Sequence, residues 1–188
     1  MQKRKIVVAV TGASGAIYAR LLLRELQKRA DVLENCAIVF SQNATDVWTF
    51  ELGTNPLDEI TFPLYESNDF MAPFASGSAG YDTMIVCPCS MGTLGRIASG
   101  ISDSLITRAA DVMLKERKKL VLVVRETPYN LIHLNNMKTV VEAGAIICPA
   151  TPSFYNKPET IEELALTVVH RVMSLIDFPN DMKAWGDI

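Results

Sequence analysis

Residues Val8 to Leu26 read VAVTGASGAIYARLLLREL. An apolar run ends in the turn Thr11-Gly12-Ala13-Ser14-Gly15. It passes directly into a stretch with apolar residues at Ile17, Leu21, Leu22 and Leu26, the spacing of one helix face. A buried strand, a glycine turn and a helix in that order make a cradle for a phosphate, because glycine lets the backbone approach and the helix N-terminus is electropositive. A tight strand-to-helix turn with no ligand gives the same pattern, so the rest of the chain has to decide between them.

Outward from this stretch, apolar strand-like runs alternate with helical ones. Strands are expected over Lys5–Val10, Cys36–Phe40, Asp82–Cys87 (stopped by Pro88), Leu120–Val124 and Ala145–Cys148. Helices are expected over Ser14–Arg29, Ala44–Leu52, Gly92–Ala98, Asp103–Glu116, Leu131–Ala143 (closed by Gly144) and Ile161–Ile176. The strands are continuously apolar, as required when both sheet faces are covered. The pattern therefore predicts an α/β fold: a three-layer, Rossmann-like parallel sheet with helices on both faces. Residues 53–81 are less regular, and an irregular stretch of that length in a compact domain is often functional. A length of 188 residues suits a single domain spanning 1–188, with a C-terminal tail from about 178.

The bulk numbers exclude some classes. A net charge of −3 argues against nucleic acid as a partner, so anion binding must come from a few converging cations. No run approaches the roughly 20 apolar residues of a membrane span. The basic, apolar start mimics a secretory signal, but Thr11, Gly12, Ser14 and Gly15 interrupt it and a strand–turn–helix accounts for it better. Cys36, Cys87, Cys89 and Cys148 do not form a redox CxxC pair, and two histidines do not complete a metal site with them. The expectation is reduced, buried cysteines in a cytoplasmic protein with no metal.

In such a sheet, ligands bind beyond the carboxyl ends of the strands. Those ends carry Thr11–Gly15, Ser41-Gln42-Asn43, Pro88–Thr93, Arg125–Pro128 and Pro149–Tyr155. A nicotinamide dinucleotide needs an acid after the second strand, and that strand ends Phe40-Ser41-Gln42. The Tyr-x-x-x-Lys pair of short-chain dehydrogenases is also missing: Leu22, Asp69, Ile85, His133 and Glu159 stand four residues after the five tyrosines. A mononucleotide such as FMN fits the serine-bearing strand ends better. Arg108 and Lys115, seven apart, share a helix face, and Arg125 follows the central strand. Arg171 lies on the last helix. Glu126 reads either as a general acid/base or as an arginine's ion-pair partner. Phe70 and Phe74 in the 68–78 loop read either as core packing or as an apolar wall for a substrate. His133 and His170 read as packing or surface residues.

The motifs TGASGA, SQNA, MAPFASGS, CPCSMGTL, RAADVMLKER, VVRETP, IHLNNM, PSFY and a terminal AWG occur together and in this order. Along essentially its whole length the chain resembles the UbiX-type flavin prenyltransferases. The resemblance implies transfer of the dimethylallyl group of dimethylallyl monophosphate to reduced FMN, forming two bonds and a fourth ring. It also implies that the prenylated FMN serves a UbiD-type decarboxylase, that no metal is needed, and that the enzyme is a homo-oligomer, a dodecamer of trimers with sites at subunit interfaces. Carried over, Gly12, Ala13, Ser14, Ser41, Ser90, Met91, Gly92, Thr93 and Arg125 would hold FMN. Phe70, Arg108, Lys115, Arg125, Tyr155, Arg171 and Trp185 would hold the prenyl phosphate. Glu126 would be the acid/base, assisted by Ser14 and Ser90, and Glu51 would lie near the subunit contacts of the site. Phe70 stands where some members have a tryptophan. Two other readings remain: an FMN-dependent cysteine decarboxylase, although no histidine precedes His133, and a flavin carrier without catalysis.

Overall fold

A computed structural model describes residues 3–181; Trp185 lies outside them. The strands are β1 (Arg4–Val10), β2 (Leu33–Phe40), β3 (Leu64–Tyr65), β4 (Thr83–Cys89), β5 (Lys119–Val124) and β6 (Ile146–Ile147). The helices are α1 (Ala16–Lys28), α2 (Ala44–Leu52), α3 (Pro56–Glu59), α4 (Met91–Ala98), α5 (Leu105–Lys115), α6 (Leu131–Glu142) and α7 (Ile161–Leu175). All strands pair in parallel, in the order β3-β2-β1-β4-β5-β6. The chain builds outward from β1 to β3, then returns to β4 on the other side of β1. The β1/β4 junction is therefore the point where strand order reverses, and a crevice opens there at the carboxyl ends.

The sheet is buried on both faces, as its continuously apolar strands require. Ile6, Val8, Ile38, Ile85, Val121 and Val123 pack against α1, α2 and α7, with Leu22, Leu26, Trp48, Val169 and Met173 behind them. Val7, Ala9, Val39, Met84, Leu120 and Leu122 face the opposite layer of α4, α5 and α6, with Leu94, Leu105, Met113 and Val140. Each fully buried aliphatic side chain contributes roughly 1.5–3 kcal/mol.

Two local expectations change. β4 does not stop at Pro88 but continues to Cys89. Its register against β5 shifts between Val86 and Cys89, and Pro88, with no N–H to donate, falls in that irregularity. The irregular stretch 53–81 contains α3 and the edge strand β3, whose two residues are too few for any periodicity to mark. The cysteines are free and buried. Burial pushes the thiols of Cys36 and Cys89 up to about 12 and that of Cys87 higher, which keeps them protonated and unreactive.

One residue joins the two halves of the sheet at the crevice. Thr11, 2% exposed, donates from its hydroxyl to the Pro88 carbonyl at 2.7 Å and accepts from the Ser90 N–H at 2.9 Å. Its backbone N–H also donates to Pro88 O, at 3.3 Å. Thr11→Val keeps the shape but leaves the Ser90 N–H and the Pro88 carbonyl short of a partner. It is expected to destabilise the protein by about 1–3 kcal/mol, read as a lower midpoint in urea denaturation.

At the far end of α1, Glu25 (3% exposed) binds Lys28 at 2.5 Å and Arg29 at 2.7 Å, and Arg29 also holds Asp181 at 2.8 Å. His170 of α7 stands beside Glu25 and Asp181, its pKa lowered by burial; with Arg29 and Lys28 on these carboxylates the group is an ion-pair latch. Burial alone would raise the Glu25 pKa, but the hydrogen bonds from Lys28 and Arg29 outweigh it and hold the carboxyl below its ordinary value. A depressed carboxyl contributes stability that is present above the unfolded pKa of about 4.3 and is lost as pH falls through the folded value. Glu25→Gln should therefore lower the thermal midpoint at pH 7, with the gap to wild type closing below about pH 4. A gap that persisted at pH 3 would show that packing, not charge, sets the loss.

Candidate active site

The crevice at the β1/β4 junction is a cleft of about 810 Å3. Gly12, Ser41, Ser90 and Thr93 line it, as the sequence indicated. Asn43, from the expected strand-end segment Ser41-Gln42-Asn43, lines it as well; Thr45, Tyr65, Ser67, Ser104 and Thr107 join it without a place in the strand-end segments. Ser104 carried a legible signal. It forms a capping box with Thr107 at the start of α5, a pattern that marks a helix N-terminus pointing at whatever lies before it.

Three helix N-termini meet at this cleft. Ser90 caps α4, its Oγ accepting the Thr93 N–H at 3.3 Å, and Ser104 caps α5. Asn43 begins α2 with no side-chain cap. Helix N-termini present partial positive charge and backbone N–H groups, so their convergence suits an anionic group even though the chain is acidic overall. Ser41, Ser67, Ser90, Thr93, Ser104 and Thr107 add hydroxyls that can satisfy a polyol chain, and Tyr65, Leu57, Leu64 and Ile106 add apolar wall for a ring.

The helix the sequence singled out is the one whose N-terminus is already filled. α1 starts at Gly15, whose left-handed φ of 107° and lack of side chain leave no cap of its own. Glu51 of α2 supplies the acceptor: its carboxylate takes the Gly15 N–H at 2.9 Å and the Ala16 N–H at 2.8 Å. A Cβ at Gly15 would also lie 2.8 Å from the Tyr18 ring. Gly12 is needed for a different close approach, because its Cβ would come within 2.9 Å of Asn43 Cβ at the start of α2.

Around this cradle the other expected residues take distinct places. Ala13 is buried in the turn and Ser14 exposed beside it; Met91 and Gly92 form the first turn of α4. Arg125 is half-buried at the end of β5, its Cγ 4.0 Å from the point a Gly15 Cβ would occupy, and its charge is felt at Tyr18. Glu126 forms no ion pair among the described residues; its Oε1 accepts the adjoining Thr127 N–H at 2.9 Å, so the ion-pair alternative is not what the chain builds. Phe74 is core, edge-on to Tyr65 at 5.1 Å and Tyr81 at 5.6 Å, whereas Phe70 is 47% exposed. The core-packing reading of the 68–78 loop therefore holds for Phe74 and not for Phe70. His133 serves as the third helical residue of the α6 capping box with Asn130.

The remaining cations do not gather at the cleft of one chain. Arg108, near the start of α5, donates to Ala75 O at 3.0 Å and pairs with Asp111 at 3.1 Å. Lys115 is at the distal end of α5, paired with Glu116 at 2.5 Å. Arg171 is exposed on α7, on the other face of the sheet, where its charge reaches Cys148. Tyr155 is exposed in the β6–α7 loop.

The family described as Flavoprotein matches residues 1–177. The flavin prenyltransferase UbiX of Methanocaldococcus jannaschii is 42% identical over 187 residues, covering 98% of this chain and all of that one. A crystal structure described as AnUbiX (PadA1) in complex with FMN and dimethylallyl pyrophosphate superposes with a TM-score of 0.90 at 42% identity, covering 98% of this chain and 100% of the other. A dodecameric FMN-dependent UbiX-like decarboxylase from Escherichia coli O157:H7 has a TM-score of 0.90 at 38% identity over 96% of this chain and 98% of its own. The fold and cleft are those of a flavoprotein. Within that class, the chain belongs to the flavin prenyltransferase family.

The Gly12 contact gives a direct test of how the cradle is held. Gly12→Ala should displace Asn43 and cost about 1–3 kcal/mol, whereas Gly92→Ala, which meets the flexible tip of Arg96 at 3.4 Å and Ser90 Oγ at an ordinary contact distance of 4.0 Å, should be tolerated. Thermal midpoints of the two variants compare them.

Proposed function

We propose that this chain joins the dimethylallyl group of a prenyl monophosphate to reduced FMN, with the flavin in the cleft at the β1/β4 junction. The observation that carries the reading is the convergence of the α2, α4 and α5 N-termini and their hydroxyls on one cleft of about 810 Å3. That donor set fits a flavin mononucleotide: N-termini for its phosphate, hydroxyls for its sugar chain, an apolar wall for its ring. The relative solved with FMN and dimethylallyl pyrophosphate supports the same pairing of ligands.

In this assignment Gly12, Ala13, Ser14, Ser41, Ser90, Met91, Gly92 and Thr93 hold the flavin, and Arg125 steadies it from the β5 side. Reduced FMN supplies the electron-rich ring atoms that accept the prenyl group. Arg108, Lys115 and Arg171 neutralise the phosphate as the allylic C–O bond breaks, the kind of charge stabilisation that contributes most when aimed at a developing anion. Tyr155 and Phe70 help hold the prenyl phosphate and keep water from it; Trp185 is assigned the same task. Glu126, with no competing ion pair among the described residues, takes up and returns the proton that ring closure requires, with Ser14 and Ser90 assisting. α5 and α7 lie on opposite faces of one sheet, so the three phosphate cations meet only if neighbouring copies complete the site. The dodecameric relative supports assembly as a homo-oligomer.

The wider reading is of one flavoprotein domain over 1–188, working in the cytoplasm without a metal and passing its product to a UbiD-type decarboxylase. No helix among the described residues is long and apolar enough to cross a membrane.

Anaerobic incubation with reduced FMN and dimethylallyl monophosphate, followed by mass spectrometry of the extracted flavin, tests the assignment, and a parallel reaction with the pyrophosphate separates the two donors. A flavin heavier by one prenyl unit is expected. Glu126→Gln should slow turnover by about 10²–10⁴-fold with FMN binding retained. Lys115→Ala and Arg171→Ala should each be inactive alone but recover activity when subunits are mixed, because each supplies the cation the other lacks. FMN returned unmodified from protein that binds it would sink the reading in favour of a carrier or a cysteine decarboxylase.

A further inference from the structure

At the other end of the sheet, the amino ends of β1, β2, β4 and β5 border a second, open pocket of about 540 Å3. Six of the chain's 18 Lys and Arg residues line it: Lys3, Arg4, Lys5, Arg117, Lys118 and Lys119. The acids in the lining are already matched, Asp82 by Arg4 at 2.8 Å and Glu34 by Lys5 at 3.1 Å, and Lys119 is matched by Asp177 outside it. Lys3, Arg117 and Lys118 form no side-chain ion pair or hydrogen bond among the described residues. The carboxylate whose pKa feels Lys118, that of Glu116, is held by Lys115. Three cations therefore share one cavity uncompensated, in a protein whose net charge is −3.

The backbone at Arg117 fixes where its side chain leaves α5. Arg117 follows the end of α5 with φ 55°, in the left-handed region that L side chains rarely adopt. Its N–H donates to Leu114 O at 3.2 Å and the Lys118 N–H to Met113 O at 2.8 Å. This is the helix-closing position that glycine fills most easily. The residue at this position is an arginine, as Asp177 stands in the same conformation after α7, and it lies at the rim of the basic pocket.

We propose that this cavity binds a diphosphate-class anion at a site separate from the transfer cleft. A phosphate monoester carries about −1.5 to −2 near neutral pH, so two linked phosphate groups match three free cations. Arginine's planar fork reads phosphate oxygens bidentately, and lysines supply point charge beside it. The volume lies within the roughly 300–1,000 Å3 of small-ligand sites. Lys115, assigned to the departing phosphate of the prenyl donor, is not in the lining, so the two sites can be separated by mutation. The diphosphate can be free or part of a nucleotide.

The test is calorimetric titration of FMN-loaded, full-length protein with inorganic pyrophosphate and with ADP at constant ionic strength. Wild type and the double variant Arg117→Gly, Lys118→Gln are compared. Saturable binding to wild type is expected, weakened tenfold or more in the double variant. Prenyl transfer should be unchanged, because neither residue belongs to the transfer site. Glycine suits the left-handed position, so the double variant should melt at or above the wild-type temperature, which separates lost binding from lost folding. ADP binding more tightly than pyrophosphate supports a nucleotide, and equal affinities support free diphosphate. Absence of saturable binding in wild type, unchanged affinity in the double variant, or equally tight binding of citrate overturns the proposal.

Discussion

The cleft exists because Thr11 ties the end of β1 to the end of β4. These strands are neighbours in the sheet but far apart in sequence, and their following loops diverge to opposite layers, one into α1 and the other into α4. Left alone, such loops would splay. A single buried hydroxyl, donating to Pro88 O and accepting from Ser90 N, fixes their separation and therefore fixes where α4 begins. Ser90 and Thr93 take their position in the cleft from that residue together with the β1/β4 pairing and the Arg125 N–H bond to Cys89 O. The constraint is strict because, with little competing water, an unmet partner at this buried point costs more than the bond itself contributes.

Electrostatic design follows from the same geometry. An acidic chain prepares anion sites by concentrating partial and full positive charge locally. At the carboxyl ends of the strands it does so with helix N-termini and hydroxyls, which carry no net charge. Of the four helices starting near the β1/β4 junction, α1 is closed by Glu51, while α2, α4 and α5 face the cleft. Glu51 thereby selects which helix ends are open to a ligand and holds α2 against α1. At the amino ends the chain uses side-chain cations instead, and pairs only some of them.

The cations read from the sequence divide into two groups in space. Arg125 sits at the cradle, beside Gly15. Arg108, Lys115 and Arg171 are spread over α5 and α7 on both faces of the sheet. A helix spacing of seven correctly puts Arg108 and Lys115 on one face, yet says nothing of which molecule that face meets. Sites shared between copies are a general limit of single-chain reasoning, since one sequence specifies both partners of a contact without marking either.

The layers, the parallel sheet and the strand-end loops are legible in the order of residues, because each rests on local physics. Apolar continuity reports burial on both faces, period 3.6 reports a helix face, and glycine reports a tight turn. That order also pointed to Gly12, Ser41, Ser90 and Thr93, because carboxyl-end loops in such a sheet converge regardless of detail. Tertiary structure alone decided that β4 runs past Pro88, that Glu51 fills the α1 N-terminus, that Ser67, Ser104 and Thr107 join the cleft, and that Phe74 is core while Phe70 is exposed. These facts depend on contacts between segments tens of residues apart. A carboxylate, a hydroxyl or an aromatic ring looks the same in sequence whichever distant partner the fold brings to it.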